Sequence, residues 1–138
     1  MPLKHIPCAL LLLLPFSVFA ARPGESIDNA LLQCKNNAEN TLASQLCYKT
    51  AITQWDAELG KQYKLLMNGQ PENVRVALRD SQRLWIKYRD TYIEAMKTYY
   101  QQEQGTIWGL VAAESIMNIT RDKALDLYRL RNSTNLGD

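Results

Sequence analysis

The stretch Glu72–Gln102, ENVRVALRDSQRLWIKYRDTYIEAMKTYYQQ, decides the fold of this chain. Its apolar or small positions recur at alternating steps of four and three residues: Val74, Leu78, Ser81, Trp85, Tyr88, Tyr92, Ala95 and Tyr99. This heptad spacing predicts one long helix whose seam faces a neighbouring helix. At about 1.5 Å per residue the helix would be about 45 Å long, so we expect other helices to cover it.

The segments on either side of this stretch also carry helical periodicity. One helix is predicted before it, from about Leu42 to Asn68, and one after it, from about Ile107 to Arg131. The turns Asn68–Pro71 and Gln104–Thr106 separate the three helices, since glycine and proline end helices. The apolar stripe of the upstream helix comprises Tyr48, Ile52, Trp55, Leu59, Tyr63 and Leu66. The inward face of the downstream helix comprises Leu110, Glu114, Met117, Arg121, Ala124 and Tyr128.

A short N-terminal helix, about Ile27 to Asn36 with Ser26 as its cap, completes the set of predicted elements. No segment alternates apolar and polar residues as a half-buried strand does. The predicted fold is therefore all-α, an antiparallel bundle of three main helices plus a short N-terminal helix tied by a disulfide. The last residues, Asn132–Asp138, are expected to form a frayed tail.

The first twenty residues have the features of a secretory signal peptide. Lys4 precedes the apolar run Cys8–Phe19, which is too short to span a bilayer, and cleavage is expected between Ala20 and Ala21. An uncleaved anchor is the alternative. We therefore expect residues 1–20 to be removed and residues 21–138 to form a single exported domain, with no membrane span after cleavage.

Two cysteines stay in the mature chain, Cys34 and Cys47. An even pair in an oxidising compartment predicts one disulfide, and two free thiols are the alternative. On one straight helix the two residues would lie about 19 Å apart, whereas a disulfide needs Cα atoms within about 7 Å. The bond therefore requires the chain to fold back between them, and the polar segment Lys35–Asn40 is the expected corner.

Histidine and charge exclude several classes of function. The one histidine, His5, lies in the predicted signal peptide, so the mature chain has no imidazole for a catalytic triad or a metal site. The chain has 16 basic and 14 acidic residues without a basic block, which argues against nucleic-acid binding. The acids at helical spacing, such as Asp122 with Asp126, are interpreted as a solvated face. We expect no catalytic residue, cofactor or metal; an enzyme is the weakest hypothesis.

One face of the long helix combines Gln82, Trp85 and Arg89. Arg89 can stack on Trp85 and pair with a carboxylate of a neighbouring helix, either Asp56 or Glu114. This face is either a partner-binding surface or an interhelical polar network, and its place on the seam favours the network. The tyrosines nearby could form a stacking platform, but their spacing favours a core or half-buried position: Tyr88, Tyr92, Tyr99 and Tyr100.

The run Leu78–Asp90 resembles the signature of the LprI/YecT-type family, which takes its name from a lysozyme inhibitor. The matching positions are Asp56, Gln82, Trp85, Tyr88, Arg89, Asp90, Gly105, Thr120 and Arg121, within a resemblance that covers roughly Cys34 to Arg131. The resemblance implies an exported helical protein, in the bacterial periplasm, that acts by contact with a protein partner.

The implied partner is a lysozyme of the host type. Such lysozymes are strongly cationic and attract acidic inhibitors, whereas this chain has a net charge of +2. It could still inhibit by inserting a turn that presents a cation to the catalytic carboxylates. The candidate turns are Asn68–Asn73 and Gln102–Trp108, with Gln102 and Trp108 as possible contacts. An envelope interaction or immunity-type module with a non-lysozyme partner is the alternative, and the sequence leaves the oligomeric state open.

Overall fold

The computed structural model describes residues 22–136, which fold into four helices without a strand in that range. They are α1 (Glu25–Asn37), α2 (Thr41–Met67), α3 (Glu72–Tyr100) and α4 (Ile107–Asn132). The predicted all-α bundle is confirmed, and each predicted helix is present within one or two residues of its expected bounds. The predicted signal peptide and cleavage site lie outside the described residues, as do the last two residues of the predicted tail.

The residues that precede α1 and α2 determine where each helix begins. α2 begins after Asn40, whose side chain accepts a hydrogen bond from Ala43 N at 2.9 Å and so satisfies one free amide of the first turn. The predicted cap of α1 was wrong: Ser26 lies inside the helix, and Gly24 caps it with a φ of 72°. That left-handed conformation favours glycine, so α1 begins two residues earlier than the serine suggested.

The core lies between α2 and α4. Trp55 is completely buried and Tyr48 is nearly so, and they occupy the stripe predicted for α2. From α4 the buried residues are Met117, Thr120, Ala124, Leu125 and Leu127, so the predicted face of α4 is correct at Met117 and Ala124 but not at Glu114, which is exposed. α1 packs on α2, and α3 packs mainly on α4.

α3 lies at the side of the bundle rather than in its centre. Only Met96 of this helix is buried, and Leu78 and Trp85 pack against the core with part of their surface. The predicted seam was wrong in its second half, because Tyr88, Tyr92 and Tyr99 are 56%, 45% and 64% exposed. The bundle instead meets the face that carries Trp85, Arg89, Met96 and Tyr100.

The disulfide joins α1 to α2. Cys34 and Cys47 are bonded with their Cα atoms 5.7 Å apart, as predicted from the cysteine count. The chain reverses at residues 38–40, within the polar segment Lys35–Asn40 that was expected to form the corner. Because Ile27 is the single buried residue of α1 and Leu31 packs on the core with part of its surface, the disulfide adds a covalent link to the few contacts that hold this helix.

None of the helices within residues 22–136 combines the length and the continuous apolar character that crossing a bilayer requires.

Candidate functional site

The Trp–Arg face of α3 forms an interhelical network. The Arg89 guanidinium lies 5.3 Å from the centre of the Trp85 ring, and its Nη1 donates to Asp56 Oδ1 on α2 at 3.2 Å. Its Nε donates to Asp90 at 3.0 Å. Of the two carboxylates considered as partners for Arg89, Asp56 makes the contact. The Arg89 side chain is 21% exposed and its donors are engaged within the fold, which agrees with a structural role.

A second network surrounds Arg121 of α4. Its guanidinium donates from Nε and Nη2 to the two carboxylate oxygens of Asp28, at 3.1 and 2.8 Å, and lies 5.4 Å from the centre of the Trp55 ring. The hydrogen bond from Arg121 lowers the pKa of Asp28 below its ordinary value, and Asp28 in turn raises the pKa of Arg121. Thr120, which precedes Arg121 in the sequence, is buried.

Asp28 was missed by the sequence analysis. Arg121 was among the signature residues, but its partner lies 93 positions away in α1, and no local pattern marks a pairing across that distance. The family-signature residues Arg89 and Arg121 therefore join helices, Trp85 packs against the core, and Gln82 is half-buried.

The exposed residues of the signature lie elsewhere. The Asp90 side chain is 62% exposed, and Tyr88 stacks on Tyr92 with ring centres 5.6 Å apart and planes inclined by 17°. This pair belongs to a continuous exposed strip of α3, here called the aromatic surface: Leu84, Tyr88, Tyr92, Ala95 and Tyr99. The sequence pattern placed these tyrosines in the core or at its edge, and that interpretation was wrong for all but Tyr100, which is half-buried.

The aromatic surface continues into a groove between α3 and α4. This tyrosine groove has a volume of about 630 Å³ and is lined by Tyr92, Ala95, Met96, Tyr99, Tyr100, Ser115, Asn118, Ile119 and Asp122. Tyr100 stands against Tyr99 at 5.5 Å in a T-shaped arrangement, and its hydroxyl lies 3.4 Å from Ser115 Oγ. The groove therefore has aromatic walls on α3 and mainly polar groups on α4.

The turn between α3 and α4 is anchored by its own aromatic residue. Trp108 stacks on Tyr100 with ring centres 6.1 Å apart, and it is half-buried. Gln102 is exposed and its Nε2 donates to Tyr99 O at 3.3 Å, while Gly105 has a φ of 111° that permits the reversal. Trp108 thus stabilises the turn. Because its ring packs within the fold, Trp108 is less suited to anchor a partner.

Neither candidate turn carries a cation. Residues 68–73 read NGQPEN and residues 102–108 read QEQGTIW, so the charged members are Glu72 and Glu103. A mechanism that places a lysine or arginine of these turns on the catalytic carboxylates of a lysozyme lacks the side chain it needs. Within the described part of the chain, no group of three or more metal-ligating residues clusters as a candidate metal site.

Comparisons with known proteins agree with the resemblance in the sequence. The family profile described as lysozyme inhibitor LprI matches residues 34–127, more than half of the chain. A crystal structure of an uncharacterized protein from Burkholderia thailandensis is similar, with a TM-score of 0.71 and 27% sequence identity. The alignment covers 77% of this chain and 53% of the other, so this chain spans about half the length of that protein. No curated protein matches significantly.

Proposed function

The chain belongs to the LprI lysozyme inhibitor family, and on that premise we propose that it acts in the bacterial periplasm by binding a lysozyme through the aromatic surface of α3. The family is named for a lysozyme inhibitor, and because lysozyme is a protein, the name supports a protein partner. The proposal makes no use of the two turns, because they carry no cation.

The observation that carries the proposal is the exposure of apolar side chains on one helix. Leu84, Tyr88 and Tyr99 are 70%, 56% and 64% exposed, and they follow one another along the same side of α3. Contiguous apolar surface is uncommon on proteins without a partner. Tyrosine is also among the residues that contribute most binding free energy at interfaces.

The acids of the chain favour binding over hydrolysis. Glycoside hydrolysis uses two carboxyl groups facing each other across the substrate. The tyrosine groove has a single carboxylate, Asp122. Asp28 and Asp56 are engaged by arginines outside that groove. This distribution supports a contact surface.

Export follows from the sequence features rather than from the fold. The signal-peptide pattern of residues 1–20 and the disulfide between Cys34 and Cys47 both suit an oxidising compartment outside the cytoplasm. A periplasmic location would place the protein where lysozyme attacks the cell wall.

A lysis assay with matched leucine variants tests the proposal. Purified protein should slow the loss of turbidity of cell-wall suspensions treated with lysozyme, and several lysozyme classes should be compared. Leu84→Ser should weaken protection about five- to thirtyfold, because loss of an apolar interface contact of this size costs about 1–2 kcal/mol. Leu42→Ser is the control, since Leu42 is 67% exposed but lies on α2. Equal protection by both variants would show that the aromatic surface is not the contact.

The charge of the chain favours one second candidate, an envelope interaction or immunity-type module with a non-lysozyme partner. A net charge of +2 offers no electrostatic attraction to a cationic enzyme. Absence of protection against every lysozyme class, together with Leu84-dependent capture of a different envelope protein, would support this alternative.

A further inference from the structure

We propose that the tyrosine groove between α3 and α4 receives a cationic side chain, an arginine or lysine, from the protein partner. The inference rests on the proposed function in one respect, that a protein partner docks on α3. Beyond that premise, the inference names the chemical group that the partner must present. The groove opens directly beside the aromatic surface, since Tyr92, Ala95 and Tyr99 belong to both.

The charge of the groove is the first reason. Asp122 is the one ionisable acid in its lining, and no lysine or arginine lines it. The Asp122 side chain is 71% exposed, and its neighbour Arg121 approaches only to 3.9 Å. That guanidinium is already held by two hydrogen bonds to Asp28. The Asp122 carboxylate is therefore available to an incoming cation.

The tyrosine rings are the second reason. Cations bind over the faces of aromatic rings, and several rings beside a carboxylate make a stronger site than either alone. Tyr88 covers one face of Tyr92, and Trp108 covers one face of Tyr100. These stacked neighbours hold the two rings in place before a ligand arrives, which reduces the entropy lost on binding.

The remaining lining suits a long side chain. Ala95 and Ile119 offer apolar contact for a methylene stem, while the Asn118 amide oxygen and the Ser115 hydroxyl can accept hydrogen bonds from a guanidinium. A volume of about 630 Å³ is of the size of small-ligand sites in proteins. An arginine is favoured over lysine, because its planar group can stack on tyrosine and pair with the carboxylate at once.

A second acid one turn along α4 provides the control. Asp126 already accepts a hydrogen bond from Lys123 at 3.4 Å, and it does not line the groove. Its side chain is 56% exposed, comparable with that of Asp122. Asn at either position should leave the fold intact, because both side chains point largely to solvent.

The test uses two tripeptides that differ in charge alone. Acetyl-Gly-Arg-Gly-amide and its citrulline analogue are titrated into the full exported protein, and the backbone amide shifts of residues 92–100 and 115–122 are followed by NMR. The arginine peptide should bind saturably and at least about fivefold more tightly than the citrulline peptide, as a cation–π contact and an exposed ion pair together contribute roughly 1–2 kcal/mol. Asp122→Asn should reduce that difference, because only the contact with the tyrosine rings remains, whereas Asp126→Asn should change affinity less than about twofold.

Equal binding of the two peptides, or an unchanged preference in Asp122→Asn, would overturn the proposal. So would shifts of the groove amides by an N-acetylglucosamine oligomer without any shift by the arginine peptide, since the groove would then be a saccharide site. The probe contains no lysozyme, so the outcome is independent of the protection assay. Arginine binding without protection would leave the groove assignment intact and remove lysozyme as the partner.

Discussion

The guanidinium of Arg121 holds both carboxylate oxygens of Asp28, with Nε 3.1 Å from Oδ1 and Nη2 2.8 Å from Oδ2. This contact joins the last helix to the first, and both side chains are only 24% exposed. Arg22 donates to the same carboxylate. The Arg121 guanidinium also lies 5.4 Å from the centre of the ring of the fully buried Trp55.

Removal of the Asp28 charge should destabilise the protein. Asp28→Asn breaks the bidentate contact and leaves the half-buried Arg121 without its carboxylate, which should lower the free energy of unfolding by about 1–3 kcal/mol. Chemical denaturation followed by circular dichroism measures this change. Asp122→Asn is the control, and a change there of less than about 0.5 kcal/mol is expected because that side chain is 71% exposed. Equal effects would contradict the structural role of Asp28.

The same carboxylate makes stability depend on pH. Because the pKa of Asp28 is lower in the folded protein than its ordinary value of 3.8, its contribution is present above that value and is lost as pH falls through the lower folded value. The stability difference between the wild type and Asp28→Asn should therefore be constant from pH 7 to about 5 and shrink below about pH 4. Unfolding free energies measured at half-unit intervals of pH check this, and a difference that does not change down to pH 2.5 would contradict it.

Gly24 should tolerate no side chain. A Cβ on this residue would overlap the ring of the fully buried Trp55, and the φ of 72° is itself strained for other residues. Gly24→Ala should cost about 2–4 kcal/mol, the sum of backbone strain and overpacking. Gly69→Ala isolates the strain, because Gly69 has a φ of 73° with open space around it. Thermal unfolding of the two variants should differ, and equal losses would show that Trp55 yields to the methyl group.

The disulfide should contribute substantially to stability. Cys34 and Cys47 close a loop with a sequence separation of 13, for which chain entropy predicts about 3 kcal/mol. Reduction, or replacement of both cysteines by serine, should lower the melting temperature and release α1 first, because Ile27 is the one buried residue of this helix and its ion pair with α4, Asp28–Arg121, is partly exposed. Hydrogen exchange of residues 25–37 measures the release. Unchanged protection of that helix in the reduced protein would contradict the prediction.

The loss of unfolding free energy on replacing Trp55, Trp85 or Leu84 should follow how deeply each side chain is buried. Trp55→Ala empties the centre of the core and should cost about 4–5 kcal/mol, whereas the partly buried Trp85 should cost about 2 kcal/mol. Leu84→Ser should cost less than about 0.5 kcal/mol, because Leu84 is 70% exposed. Urea denaturation gives all three values. A cost above 2 kcal/mol for Leu84 would mean that the aromatic surface is covered in the folded protein.

The spacing of apolar residues predicted the helices well, because helical periodicity depends only on residues close together in the chain. Steps of three and four residues place Tyr48, Trp55 and Leu59 on one stripe of α2, and that stripe is the core. The cysteine pair likewise predicted the reversal between α1 and α2, since geometry allows the bond only if the chain turns back. The Arg89–Trp85 contact followed from their spacing of one helical turn.

The sequence by itself determined the four helices, their turns, the disulfide and the family, since each depends on residues close in the chain or on a signature read in order. Only the tertiary structure decided which face of α3 meets the bundle. Apolar residues occupy two adjacent stripes of that helix, and one of them packs on the bundle, so Trp85 and Met96 turn inward while Tyr88 and Tyr99 stay exposed. The pairing of Asp28 with Arg121 is of the same kind, because contact across 93 residues depends on how the helices pack and not on their local pattern.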